Sequence, residues 1–157
     1  MRDLGAVEDR LDATCDALRR AAADNDLVIT SGGVSVGEED HVKPAVEAEG
    51  ELDMWKIAIK PGKPLAFGKI RKEGGHAWFI GLPGNPVAAF VTCLMMVRPF
   101  VMRLQGIAQV APRILNLPCA SAWNKPDGAR LEFLRGRINE AGAIELYRNQ
   151  GSAVATS

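Results

Sequence analysis

Between His76 and Leu104 a strand-length apolar run, His76 to Ile80, gives way to Gly81-Leu82-Pro83-Gly84-Asn85-Pro86 and then to a long apolar stretch. Asn is a natural helix N-cap and Pro is tolerated at the first helical position, so a helix is expected from Pro86 to about Leu104. The same order occurs earlier in the chain. Leu27-Val28-Ile29-Thr30 is a short apolar run closed by Ser31-Gly32-Gly33, the form of a buried strand entering a tight loop. Asp40 to Ala48 holds good helix formers, and Pro44 fits only in a first turn, so this helix begins near Glu39 to Lys43 and closes at Gly50. Ahead of both, Asp9 to Ala23 repeats Leu11, Cys15, Leu18 and Ala22 at three- and four-residue spacing, an amphipathic helix. Strand, loop and helix in this alternation predict an α/β fold with a parallel sheet and helices packed on its faces.

Met54 to Lys60 alternates with period two, which places Lys56, Ala58 and Lys60 on one strand face. Pro61-Gly62-Lys63-Pro64 is a rigid turn, Leu65 to Ile70 a second strand and Arg71 to Gly75 a polar connection. Beyond Gly106 the pattern changes to short strands, Ile114 to Ala120, Leu131 to Asn139 and Ala143 to Tyr147. Residues 1–106 therefore read as an α/β domain and residues 107–157 as a small β-rich one, too small to bury much alone. A helix with no leading strand at one end and an uncapped strand at the other give both domains the look of parts of larger ones.

Nineteen Lys and Arg balance nineteen Asp and Glu, so no global field favours nucleic acid or an anionic membrane, and any anion must be captured locally. Cys15, Cys93 and Cys119 are odd in number and far apart, which argues against a disulfide framework or a zinc site and fits a reduced cytoplasmic setting. The longest apolar run, Val87 to Val97, is followed by Arg98 and Pro99 and contains Thr92, and is expected to fall short of a bilayer span. Cys15 and Cys93 fall on apolar helix faces and read as core; His41 and His76 lack partners at ligand spacing.

Ligands of an open α/β sheet bind where strand carboxyl ends meet helix amino ends. Three motifs are expected there. Thr30 to Gly37 is a Gly/Ser loop whose amides and hydroxyls, Ser31, Gly32, Gly33 and Ser35 among them, suit a phosphate; its plainer reading is a tight turn. Its glycine spacing is neither a P-loop nor a dinucleotide fingerprint. Glu38-Glu39-Asp40 follows directly. Helix-terminal charge complementarity accounts for Glu39, but a carboxylate beside a phosphate loop also suits magnesium, with Asp40 as the ligand. Lys56, Lys60 and Lys63 form a cationic shelf for phosphate or molybdate, and Pro83, Gly84, Asn85 and Pro86 supply a helix amino end.

Asp26 to Asp40, Lys56 to Pro64 and Gly81 to Pro86, in this order and spacing, resemble the signature blocks of the molybdopterin molybdenumtransferases, including the carboxy-terminal domain of gephyrin-like proteins. The resemblance covers nearly the whole chain but only the latter part of such an enzyme. It implies a three-layer molybdopterin-binding α/β domain, here lacking its first strand, glycine-acid loop and helix, followed by a small β domain. It also implies a homodimer, magnesium as cofactor, and adenylylated molybdopterin and molybdate as substrates, with AMP released as the metal enters the pterin dithiolene. Through it Asp40 would be the essential acid and Asp9 a second; Ser31, Gly32, Gly33, Ser35, Lys56, Lys60, Lys63 and Pro83 to Pro86 would line the substrate site. Arg130, Arg135 and Ser152 would contact molybdate. Asn149 stands where the family commonly has His. Two other readings compete: a non-catalytic molybdopterin-binding scaffold, and a nucleotide pyrophosphate hydrolase on the same fold.

Overall fold

The computed structural model describes residues 2–34, 41–123 and 128–151. In chain order they form α1 (Leu11–Ala23), β1 (Leu27–Ser31), α2 (Val42–Glu49), β2 (Gly50–Lys56), β3 (Ile59–Lys60), β4 (Pro64–Lys72), β5 (Gly75–Leu82), α3 (Pro86–Thr92), a π-helical segment (Cys93–Val97), α4 (Arg98–Leu104), β6 (Leu131–Glu132), β7 (Gly136–Ile138) and β8 (Ile144–Leu146). Two compact units result, one of Met1–Ile57 with Pro64–Gly84 and one of Ala58–Lys63 with Asn85–Ser157. The division falls at Gly84–Asn85, whereas the sequence suggests a boundary after residue 106.

The first unit is an α/β sheet in the order β1-β5-β4-β2. Only β1 and β5 run parallel; β5 pairs antiparallel with β4, and β4 with β2. The antiparallel part follows from the Glu73–Gly74 turn, which joins β4 to β5 as a hairpin and leaves no room for a crossover helix. Register places Val28, Phe79, Gly68 and Leu52 in one row across the sheet, with Ala77 opposite Ile70 in another. On this face α1 contributes Cys15, Leu18, Ala21 and Ala22 and α2 contributes Ala45 and Val46, closing the core over Val28, Ile70, Ala77 and Phe79. The small residues let the helices approach closely, and burying a side chain such as Leu18 contributes roughly 2 kcal/mol. Helix α2 starts at Val42, so Pro44 does lie in its first turn, and Gly50 both ends it and begins β2.

An ion pair ties the two helices. Arg19 meets Glu49 through two hydrogen bonds, Nε to Oε2 at 2.8 Å and Nη2 to Oε1 at 2.9 Å. The guanidinium holds the Glu49 carboxyl below its ordinary value of 4.5, against the opposing effect of burial. Beside it, burial raises the Cys15 thiol and the neighbouring Glu49 charge raises it further, which fits a core cysteine and not a nucleophile.

The second unit contains the helix that the Asn85-Pro86 punctuation predicts. Asn85 Oδ1 accepts from the Ala88 N–H at 3.1 Å and Pro86 opens the first turn. Pro99 cannot donate to the carbonyl four residues back, and the chain absorbs this in the π-helical segment before resuming as α4. The helix thus continues through Thr92, Arg98 and Pro99. By length and composition alone, its 19 residues at mean hydropathy 1.7 would suffice to cross a membrane, which corrects the expectation that these residues cut it short. The turn Pro61-Gly62-Lys63 seats on this helix. Gly62 has φ +119°, and a Cβ there would lie 2.6 Å from Thr92 Oγ1, so both conformation and contact require glycine.

Three strand expectations change. Met54 to Lys60 is not one strand: β2 ends at Lys56 opposite Pro64, which has no N–H to extend the ladder, and β3 pairs with β6 in another sheet. Ile114 to Ala120 forms only an isolated bridge, Cys119 to Ile144; Pro118 supplies no donor, and Ile114 is 80% exposed. Leu131 to Asn139 splits into β6 and β7 because the Arg135 backbone bonds the Gln150 side-chain amide, its N–H to Oε1 and its carbonyl from Nε2, both at 2.8 Å.

Two stability predictions follow from the cap and the ion pair. Asn85→Ala should cost about 1 kcal/mol, read as a lower urea midpoint; an unchanged midpoint would show the cap to be idle. Because Glu49 is depressed in the folded state, its contribution is complete above the ordinary glutamate range and is lost as pH falls below 4.5. Thermal melts between neutral pH and about pH 3 should therefore show a steeper loss in the wild type than in Glu49→Gln, and parallel curves would contradict the assignment.

Candidate functional site

Because β1 and β5 are parallel neighbours, both leave the sheet at the same end. Thr30 lies opposite Gly81 and Ser31 opposite Leu82, and the ladder continues past the strand as the Gly32 N–H donates to the Leu82 carbonyl at 3.0 Å. Gly32 and Gly33 then take φ of +92° and +69°, the left-handed region open to glycine, so the chain turns sharply. The loop after β5 comes up against it: a Cβ on Gly84 would lie 3.5 Å from the Gly32 Cα. Two glycine loops therefore meet backbone to backbone. Val34, buried at 3% exposure, folds back toward β5, with its Cγ1 only 2.4 Å from where a Gly81 side chain would begin.

At the base of this junction is Thr30. Its Oγ1 is buried and has no hydrogen-bond partner among the described residues. Such a group costs free energy unless a further partner arrives, and it sits at the carboxyl end of a parallel strand, where a ligand is expected.

The predicted site residues separate as follows. Ser31, Gly32, Gly33, Pro83 and Gly84 come together around the junction. Asn85 spends its side chain on capping Ala88, as the plainer reading of that motif has it. Asp9 is exposed in the bend before α1 and makes no hydrogen bond or ion pair among the described residues. Lys56 closes β2, whereas Lys60 lies on β3 and donates to Glu132 Oε1 at 2.8 Å, so the shared strand face does not form. Arg135 directs Nη2 to the backbone carbonyls of Asn149 and Gly151, holding the Asn149-Gln150-Gly151 turn. Arg130 is partly buried just before β6. Ser35, Asp40 and Ser152 lie outside the described residues. No cluster of three His, Cys, Asp or Glu suited to a metal occurs among the described residues.

Three contributors escaped the sequence reading. The sequence marks Thr30 as part of the loop and carries no sign of its orphaned hydroxyl. Glu132 and Gln150 gave no local signal, since their partners lie 72 and 15 residues away.

Paired parallel strands ending in abutting glycine loops define an α/β domain whose loops gather at one end of the sheet. Residues 1–103 match the family described as probable molybdopterin binding domain, more than half of the chain, and the chain belongs to that family. It is 47% identical over 146 residues to a molybdopterin molybdenumtransferase of Haemophilus influenzae, covering 92% of this chain and 35% of that protein. A gephyrin of Dictyostelium discoideum is 36% identical, covering 74% of this chain and 18% of its own length. The crystal structure of a molybdopterin biosynthesis MoeA protein from Pyrococcus horikoshii superimposes with TM-score 0.52 at 28% identity, over 66% of this chain and 24% of the other. The chain thus spans about a third or less of the length of these relatives.

Thr30→Val tests the junction. With no hydrogen bond to lose among the described residues, the variant should be as stable as the wild type within about 0.5 kcal/mol, or more stable. A loss above about 1 kcal/mol would mean that the hydroxyl already has a partner in the folded protein.

Proposed function

We propose that this chain takes part in molybdenum cofactor biosynthesis, binding adenylylated molybdopterin at the Gly32–Gly84 junction and serving insertion of molybdate with release of AMP. The observation that carries this reading is the backbone contact between the two glycine loops beside the buried Thr30 hydroxyl, which has no hydrogen-bond partner among the described residues. A phosphoanhydride suits such a place: backbone N–H groups at a left-handed turn can donate to its oxygens, and glycine brings no side chain of its own. The names of the relatives, molybdopterin molybdenumtransferase among them, support the substrate class.

In this reading Ser31, Gly32, Gly33 and Ser35 hold the phosphate groups, and Pro83 to Pro86 close the pocket. Lys56, Lys60 and Lys63 offset the charge of phosphate and molybdate, while Arg130, Arg135 and Ser152 serve molybdate. Since Arg135 already orders the Asn149–Gly151 turn, its part includes shaping the segment that leads to Ser152. Asp40, with Asp9 as a second acid, is the candidate for orienting the phosphoanhydride. Magnesium would draw on Asp40 and substrate phosphate, and would supply charge neutralisation at the bond that breaks. The pterin provides the sulfur ligands, so the protein needs no thiolate cluster; Cys15 in the core is consistent with that. A homodimer acting on a small-molecule substrate in the cytoplasm, without nucleic acid or membrane, completes the reading.

AMP release from adenylylated molybdopterin, measured with magnesium and molybdate for the wild type and Asp40→Ala, tests it. Release that depends on molybdate and falls by about a hundredfold or more in the variant is expected. No release from the folded wild-type chain would leave a binding module; release without molybdate would favour a pyrophosphate hydrolase.

A further inference from the structure

Lys60 is held by a carboxylate that the catalytic reading does not use. Strands β3 and β6 pair in parallel with Lys60 opposite Glu132. Backbone bonds lock the register, from Leu131 N–H to the Ala58 carbonyl and from Phe133 N–H to the Lys60 carbonyl, each 2.8 Å. The Glu132 side chain is only 10% exposed, yet it faces Lys60 Nζ through Oε1 at 2.8 Å and accepts from Trp123 Nε1 through Oε2 at 3.0 Å. A carboxylate this shielded costs free energy unless its charge is answered. Here an ammonium and an indole are among the groups that answer it, one on each oxygen.

The lysine side of the pair is arranged differently. Its side chain is 48% exposed, and an ammonium has three donors, of which one is directed to Glu132. The other two make no bond among the described residues and can meet an anion from solvent. The next residues, Pro61-Gly62-Lys63, form the turn seated on α3 by the close fit of Gly62 to Thr92, so the backbone carrying Lys60 is fixed as well.

We propose that Glu132 is a positioning residue that acts through Lys60: it holds the ammonium so that its outward N–H groups are ready for a tetrahedral oxyanion, molybdate or a substrate phosphate. This rests on the functional reading above. Two effects oppose each other. The negative charge of Glu132 weakens the pull of Lys60 on an anion, while the hydrogen bond removes the rotamer freedom that a free lysine would lose on binding. The second dominates where solvent at the half-exposed Lys60 screens the repulsion, and the entropy saved is then equivalent to about tenfold in affinity.

The test is a double-mutant cycle on the whole chain, with equilibrium binding of inorganic molybdate and, separately, inorganic phosphate to wild type, Lys60→Ala, Glu132→Gln and the double variant. Glu132→Gln is expected to weaken binding of one or both ions about tenfold and to have no further effect once Lys60 is Ala. An equal loss in both backgrounds indicates a general structural role and overturns the proposal, as does unchanged or tighter binding in Glu132→Gln. Should Glu132→Gln fail to fold, Trp123→Phe leaves the carboxylate but removes one of its donors, and must weaken binding by a smaller factor that also vanishes with Lys60→Ala; otherwise the proposal fails. AMP release by the wild type separates the two levels. A coupled cycle without AMP release defeats the catalytic reading alone, and AMP release with an additive cycle defeats this proposal alone.

Discussion

Parallel pairing of β1 with β5, in register from Leu27–Trp78 to Ser31–Leu82, is the constraint from which the candidate site follows. Were these strands antiparallel, the Ser31-Gly32-Gly33 loop and the Leu82-Pro83-Gly84 loop would leave opposite ends of the sheet, and no junction would form. Parallel pairing also demands a covered face, since both strands carry apolar residues. Helices α1 and α2 provide it by burying Leu18, Ala22 and Val46 against Phe79 and Ile70. Core and site are thus two ends of one arrangement: the helices fix the strands, and the strands bring the glycines into contact.

The second unit uses polar groups for a similar purpose at smaller scale. Its strands are two or three residues long and bury little, so side chains replace part of the missing ladder. Gln150 completes the hydrogen bonding of the Arg135 backbone, Asn139 accepts from the Ala141 and Ala143 amides at the β7–β8 turn, and Arg137 pairs with Glu145 across those strands. Exposed ion pairs such as the last add little to stability. The shielded Glu132 differs, since its loss of hydration makes its partners obligatory.

Legibility in the sequence tracks how local the determining interaction is. The α3 start was readable because Asn85, Pro86 and the Ala88 amide lie within four residues, and α1 was readable because one helical stripe carries its buried side chains. The β1–Ser31-Gly32-Gly33 transition was equally local. Strand β2 was overextended because alternation persists through Lys60 while the partner's Pro64, which ends the ladder, is invisible to a pattern read along one strand. The Lys60–Glu132 pair could not be read at all: two strands of two residues each, far apart in sequence, carry no periodicity. The glycine loops were recognisable as loops, but their mutual contact depends on strand order, which no single segment encodes.

The π-helical segment bears on the long helix as a whole. Its most buried side chains are Ala88, Thr92 and Val97, separated by a step of four residues and then one of five. In an uninterrupted α-helix a step of five swings about 140° away from the starting direction, which would carry Val97 off toward the solvent side. The wider turn over Cys93–Val97 takes up the additional residue, so rotational phase is restored where Pro99 would otherwise have disturbed it. The helix is in effect two α-helical rods joined by a phase corrector. Removing one residue between Cys93 and Val97 would therefore close the wide turn to an ordinary α-helical one and leave the downstream side chains in phase, at the cost of bringing the Pro99 ring against the preceding turn.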